Sequence, residues 1–216
     1  MPDARHSPLI LPLGDQGLLM RFGETLSDDA NRAAIALAQR IEAAAIPDVV
    51  EVVPNLISVL VRYDPAKLTF DRLAGEIRLL APLADDPGTE GVRHTVTVSF
   101  DGEDLDEVAE LVGMAVADLV AAHNAAPLRV LATGFAPGFV YCGMHGDALL
   151  VPRRNVVRRQ VPAGTVLFAA GQTAITSTPI PTGWHVIGHT RFRNFDPAAD
   201  PPTTVRAGDS IEFMAA

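Results

Sequence analysis

The chain has 216 residues, 48% of them hydrophobic and 20% charged, and carries a formal net charge of −9. That length can bury one large core or two small ones, and the composition is ordinary for a soluble globular protein. The acidic balance argues against nonspecific nucleic-acid binding, because neutralising phosphates needs a basic surface. Cys142 is the sole cysteine, so no disulfide can form within the chain and a reducing compartment is expected. The apolar run near the N-terminus is too short for a signal peptide, and no stretch approaches about 18 uninterrupted apolar residues. A soluble, cytoplasmic protein with no membrane partner is the expectation.

The first third alternates elements. Leu9 to Phe22 is an apolar–polar pattern broken at Gly14-Asp15-Gln16-Gly17, which predicts a β-hairpin. Ser27 precedes a helix from Asp28 to about Ala44, with Ile35, Leu37, Ala38 and Ile41 near helical spacing and acids at its start. Val49 to Val53 and Leu56 to Tyr63 are β-branched runs, read as a second hairpin hinged at Pro54-Asn55. A second helix follows from Asp71 to about Leu80. The segment Ala81 to Arg93, rich in proline, glycine and acids, is the best boundary, dividing the chain into 1–85 and 86–216.

Beyond the boundary, His94 to Phe100 alternates as a strand. Asp104 and Glu107 have capping-box spacing and start a helix that Gly113 ends, before another that runs to about His123. From Leu128 onward, short β-branched runs at Arg129 to Leu131, Val166 to Ala169, His185 to Ile187 and Ser210 to Phe213 are separated by Pro/Gly turns. This spacing favours a closed or nearly closed β structure over a parallel α/β sheet. Asp209 after Gly208 reads as a hairpin-turn residue.

The usual enzymatic signatures are missing. No two glycines are separated by a single residue, so there is no dinucleotide fingerprint. The one lysine, Lys67, lies in Pro65-Ala66-Lys67-Leu68, which excludes both a Walker A lysine and a biotin-carrier lysine. No serine sits in a Gly-x-Ser-x-Gly elbow. His185 and His189 would stand about 13 Å apart on a strand, too far to share a metal unless the strand breaks at Gly188, so no metal is assigned. Cys142 with His145 could be a nucleophile and base, although a lone cysteine is more often a small buried hydrophobe. Arg153, Arg154, Arg158 and Arg159 are either a solvated strand edge or an anion contact. Trp184, the single tryptophan, is either a packing anchor or the wall of a pocket.

The most informative segment is Gly134-Phe135-Ala136-Pro137-Gly138-Phe139-Val140-Tyr141. Glycine permits positive φ, proline fixes φ, and the two phenylalanines need burial, so a rigid aperiodic loop with aromatic anchors is predicted. In order along the chain stand Leu13-Gly14-Asp15, Val52-Val53-Pro54-Asn55, the helical stretch ending in His123, this loop, Pro152-Arg153, Val161-Pro162-Ala163-Gly164-Thr165-Val166, Gly171-Gln172-Thr173, Gly183-Trp184, Gly188-x-Thr190 and Gly208-Asp209. Their conjunction resembles the family of allophanate hydrolase subunit 1, the B-type subunit of 5-oxoprolinase and the Kip-type histidine-kinase inhibitor. The same module looks like one half of the carboxyltransferase domain of urea carboxylase. The chain departs from the family pattern at Thr182 and His189, where a glycine and an arginine are usual, at Val157-Arg158, where Pro-Arg is usual, and at Thr176, where a tyrosine is usual.

The resemblance implies an α+β protein, with a small N-terminal α+β domain followed by a C-terminal cyclophilin-like β-barrel. It also implies a homologous partner, subunit 2, similar to the C-type subunit of 5-oxoprolinase, with a cleft between the two, and a LamB/YcsF-type third subunit. Such a complex would hydrolyse a small amide or lactam substrate with ATP, either 5-oxoproline to glutamate or an allophanate-like compound. ATP would be bound elsewhere, because this chain has no phosphate-binding loop and is expected to hold no cofactor alone. The residues expected to line the cleft are Phe135, Pro137, Gly138, Phe139 and Tyr141 as its wall, Arg153 as carboxylate contact, Gln172 and Thr173 as hydrogen-bonding groups, and Trp184 with His189 across from them. His123 is expected to support the loop by hydrogen bonding, and no catalytic group is assigned. Two alternatives remain: a regulatory module inhibiting a sensor histidine kinase, and a carboxyltransferase half acting with a biotin-dependent carboxylase.

Overall fold

The computed structural model describes residues 8–80 and 91–216. The chain divides into two compact units, Met1–Glu90 and Gly91–Ala216. The expected boundary at 85/86 lies within 81–90, outside the described residues.

In the first unit, strands β1 (Leu9–Leu13), β2 (Gly17–Arg21), β3 (Val49–Asn55) and β4 (Ser58–Tyr63) form a sheet in the order β1-β2-β4-β3. Helix α1 (Asp28–Ala44) begins where Ser27 Oγ accepts the Ala30 N–H at 3.2 Å, with Asp28 and Asp29 at the positive end of the helix dipole. Its stripe of Ala34, Leu37, Ala38 and Ile41 buries against Leu18, Met20, Val59 and Val61 of the sheet, with α2 (Phe70–Leu80) completing the core. The second hairpin turns at Leu56 and Ile57, two residues later than expected. Pro54 and Asn55 instead end β3, which is an edge strand, so the missing proline N–H costs no ladder bond on its open side.

The second unit carries β5 (Arg93–Val98), α3 (Leu105–Val112), α4 (Val116–His123), β6 (Leu128–Thr133), β7 (Val140–Gly143), a 3-10 turn (Asp147–Leu149), β8 (Arg158–Val161), β9 (Thr165–Ala169), β10 (Gln172–Ile175), β11 (Ile180–Thr182), β12 (His185–His189) and β13 (Ser210–Ala215). Seven strands form one sheet in the order β12-β9-β10-β7-β6-β13-β5, and β8 pairs with β11 as a separate ribbon. The large sheet curls until its outer strands meet: Ser99, just past β5, exchanges both backbone hydrogen bonds with His189 of β12 at 2.9 Å. The architecture is mixed α+β, with the nearly closed β structure that the run spacing predicts. Every residue of β9 and β10 is buried, because both sheet faces are covered. On one face Val130, Val140, Phe168 and Ile175 pack with α3 and α4. On the other, Leu167, Ala174 and Val186 pack with Phe139 and Trp184, beneath the ribbon residues Val161 and Ile180.

Asp209 sits in a tight turn with Arg206 but in no hairpin, since β13 runs parallel to β5 and antiparallel to β6. Its carboxylate accepts the N–H groups of Val92 and Arg206, each at 2.9 Å, and contacts His94 Nε2 at 3.0 Å.

Candidate functional site

Loop 134–139 joins β6 to β7. Gly138 has φ 68°, and a Cβ there would sit 2.6 Å from the Phe195 Cβ and 2.8 Å from the Ser177 Cβ. Only glycine satisfies both the backbone angle and the close approach. Phe135 has φ 75° without being glycine and is 71% exposed, two unfavourable features in one residue. Strain of this kind persists where the surroundings enforce it and is concentrated at functional sites. With Thr133, Pro137, Phe195 and Thr203 the loop borders an open cleft of about 450 Å³.

From the loop an aromatic series runs across the second unit. Phe135 packs edge-on against Phe139 with centroids 5.6 Å apart, Phe139 meets Tyr141 at 4.6 Å, and Tyr141 meets Trp184 at 6.0 Å. The Arg153 guanidinium caps the series, 5.7 Å from the Trp184 ring. A cation over an indole is attracted by the ring quadrupole. Phe139 and Trp184 are buried, Tyr141 is half-buried, and Phe135 and Arg153 are exposed. Burial pushes the Tyr141 phenol up, and the Arg153 charge opposes this. Arg153 has no carboxylate partner among the described residues.

Gln172 and Thr173 are adjacent on β10 and therefore face opposite ways. Gln172 pairs across the sheet with Gly143 and shares the face of Tyr141, which pairs with Ala174. Its side-chain amide has no hydrogen-bond partner among the described residues. Thr173 lies on the other face, wholly buried, between two imidazoles: His123 Nε2 at 2.8 Å and His145 Nε2 at 2.9 Å. His123 Nδ1 contacts Asn124 Oδ1 at 2.7 Å. With that oxygen as acceptor, His123 carries its proton on Nδ1, Thr173 donates to His123 Nε2, and His145 Nε2 donates to Thr173. Burial holds the His123 imidazolium pKa below the usual range, and burial with the neighbouring His123 pushes His145 down to about 3. His123 thus bonds Asn124 and Thr173 rather than the loop. Cys142 is fully buried in the apolar core and burial pushes its thiol far up, so it is no nucleophile, and His145 is engaged with Thr173.

The arginine cluster divides. Arg154 donates to Asp104 at 2.5 Å and to Glu107 at 3.1 Å. Arg158 grips both oxygens of Asp104, at 2.6 and 2.7 Å, and pairs with Glu103 at 2.8 Å. Asp104 is 3% exposed and also accepts the Val186 N–H at 2.7 Å. Burial alone would raise its pKa, but the Arg158 hydrogen bond, the Val186 N–H and the charges of Arg158 and Arg154 outweigh it and hold the carboxyl below its usual range. Asp104 therefore makes no side-chain cap on α3, contrary to the capping-box expectation. Its role was hidden because the arginines it binds are 50 and 54 positions away; the one hint was a cluster of four arginines in an acidic chain.

His189 lies at the far end of β12 from Trp184 and pairs with Asp101 at 2.8 Å, apart from the aromatic series. His185 is buried and bonds the Pro152 carbonyl at 3.0 Å. A register shift between Val186 and Gly188 bends the strand without bringing the two histidines together. Among the described residues no cluster of three or more His, Cys, Asp or Glu is placed to hold a metal, and no helix is long and apolar enough to cross a membrane.

Residues 8–205 match the family described as carboxyltransferase domain, subdomain C and D. The chain belongs to that family. It is 31% identical over 216 residues to the B-type subunit of 5-oxoprolinase from Bacillus subtilis, covering 94% of this chain and 90% of that protein. The crystal structure of TTHA0988 superposes with a TM-score of 0.83 at 35% identity, covering 93% of this chain but only 40% of that one, so the present chain spans about two-fifths of that relative. The urea carboxylase of Kluyveromyces lactis shares the fold at 16% identity, with a TM-score of 0.76 and 24% of its length covered. Three of its relatives, at 28–32% identity, are B-type subunits of 5-oxoprolinase.

Proposed function

We propose that this chain is the B-type subunit of a cytoplasmic, ATP-dependent complex that opens the lactam of 5-oxoproline, or a closely related small amide, in a cleft shared with a homologous C-type subunit. Its second unit is a cyclophilin-like barrel in this reading, and its first a small accessory α+β domain. Arg153 carries the proposal: an exposed guanidinium held over Trp184 with no carboxylate partner in the described protein. A guanidinium offers a carboxylate two parallel donors, and the indole beneath it offers an apolar floor for a flat ring. Gln172, with an unpartnered amide on the face of Tyr141, supplies the hydrogen-bonding that a lactam needs. Phe135, Tyr141 and Trp184 form the wall; Pro137, Gly138 and Phe139 set the loop's shape; Thr173, His123 and His189 act from outside that surface.

The division of labour follows from what the chain lacks. With no phosphate-binding loop, ATP is handled by another polypeptide, for which a LamB/YcsF-type subunit is the candidate. Leu150, Val156 and Val157 flank Arg153 in sequence and are exposed, which supports a surface covered by the C-type partner. Isolation from native extract tests the proposal. A C-type partner should be recovered, with ATP turnover stimulated by 5-oxoproline. A chain recovered alone, with a kinase, or with a biotinylated carboxylase and no such turnover would contradict it.

A further inference from the structure

We infer that Asp104 is a positioning residue that builds the Arg153–Trp184 stack by fastening the segment carrying the arginine and the strand following the tryptophan to one buried carboxylate. The inference rests on the proposed role of Arg153, but its geometry is independent of any ligand.

The segment 152–158 has no regular structure before β8 begins at Arg158, yet it is anchored on both sides of Arg153. Before it, the Pro152 carbonyl accepts from His185 Nε2 at 3.0 Å. After it, the Arg154 N–H donates to the Gly183 carbonyl at 2.8 Å, while the Arg154 side chain reaches Asp104 at 2.5 Å. Further on, Arg158 is bidentate on the same carboxylate at 2.6 and 2.7 Å. Two neighbouring arginines thus take opposite parts: Arg154 is consumed by Asp104, and Arg153 is left facing out over the indole.

The tryptophan side is held by the same residue. Asp104 accepts the Val186 N–H on Oδ2 at 2.7 Å, and its own N–H donates to the Val186 carbonyl at 3.0 Å. Val186 stands two positions after Trp184, so both partners of the stack are referenced to one side chain. Fixed-geometry forks of this kind order a loop more tightly than a single ammonium would. Asp104 also forgoes the helix cap that its position invites, which is expected if the ion-pair geometry is what the site requires.

Trp184 is the chain's one tryptophan, so its fluorescence reads the stack directly. Arg153→Ala should uncover the indole, giving a red-shifted emission and stronger quenching by acrylamide. Asp104→Asn, which keeps shape but removes the charge, should reproduce that change while far-UV circular dichroism stays native. Arg154→Gln, which removes the other half of the clamp, should do the same and serves if Asp104→Asn does not fold. Val108→Ala, a core truncation in α3, should lower the melting temperature without altering the quenching. Wild-type quenching in folded Asp104→Asn and Arg154→Gln proteins, or no change in Arg153→Ala itself, would overturn the inference. The KM for 5-oxoproline in the assembled complex reads the ligand role separately: a KM unchanged in Arg153→Ala removes the role proposed for Arg153 and leaves the positioning result standing.

Discussion

Phe135 and Gly138, three positions apart in loop 134–139, sit at positive φ for opposite reasons. At Gly138 the left-handed angle and the contacts a Cβ would make, at 2.6 and 2.8 Å, leave no room for alanine. Gly138→Ala should cost about 2 kcal/mol or more and lower the denaturation midpoint in urea. At Phe135 the same region of φ is occupied by an exposed aromatic, and Phe135→Gly should leave the midpoint unchanged or raise it, by up to about 1 kcal/mol, while weakening the ligand response of Trp184. A large drop in stability for Phe135→Gly would show that its ring is structural. The glycine–proline pattern made the rigid loop legible in the sequence. Which phenylalanine is buried was not, because Phe135 and Phe139 are chemically identical and only the turn decides which ring meets Tyr141 and Trp184.

At the level of elements, the period of two in β10 separates Gln172 from Thr173, which share a motif but serve different faces. Thr173→Val leaves two buried imidazoles without their shared hydroxyl and should cost roughly 1–3 kcal/mol, whereas Gln172→Ala should hardly move stability and should weaken ligand binding. The same pair of histidines sets a pH dependence. Unfolded histidine titrates near about 6.5, and burial pushes His145 down to about 3 and His123 in the same direction, so the unfolded state takes up protons first. Their contribution is fully present above about pH 6.5 and is lost as pH falls below it, for His145 down to about pH 3, by up to about 1.4 kcal/mol per pH unit for each histidine. His145→Asn should flatten that slope in thermal unfolding measured across the range. Asp104, whose pKa is depressed in the folded state, adds a further loss only below about pH 4. The strands and helices here were largely legible from alternation and caps, and the curled sheet from run spacing. The Asp104 clamp and the histidine pair were not, because each depends on residues about 50 positions apart, and local pattern carries no information about such contacts.

For the whole molecule, relatives of the chain are subunits of 5-oxoprolinase, and its second unit carries an exposed, uncommitted guanidinium over a buried indole, with a buried, unpartnered amide on the face of Tyr141. The missing phosphate loop was visible from the sequence, as was the order of the family motifs. The arrangement of Arg153 over Trp184, with His189 turned to Asp101 instead, needed the structure. The most direct test is the dependence of ATP turnover on 5-oxoproline concentration in the assembled complex, comparing wild type with Arg153→Ala. Loss of a charge-assisted hydrogen bond of about 1.5–3 kcal/mol predicts a KM for 5-oxoproline raised roughly 10- to 100-fold, with the complex intact. An unchanged KM in an intact Arg153→Ala complex would contradict the account.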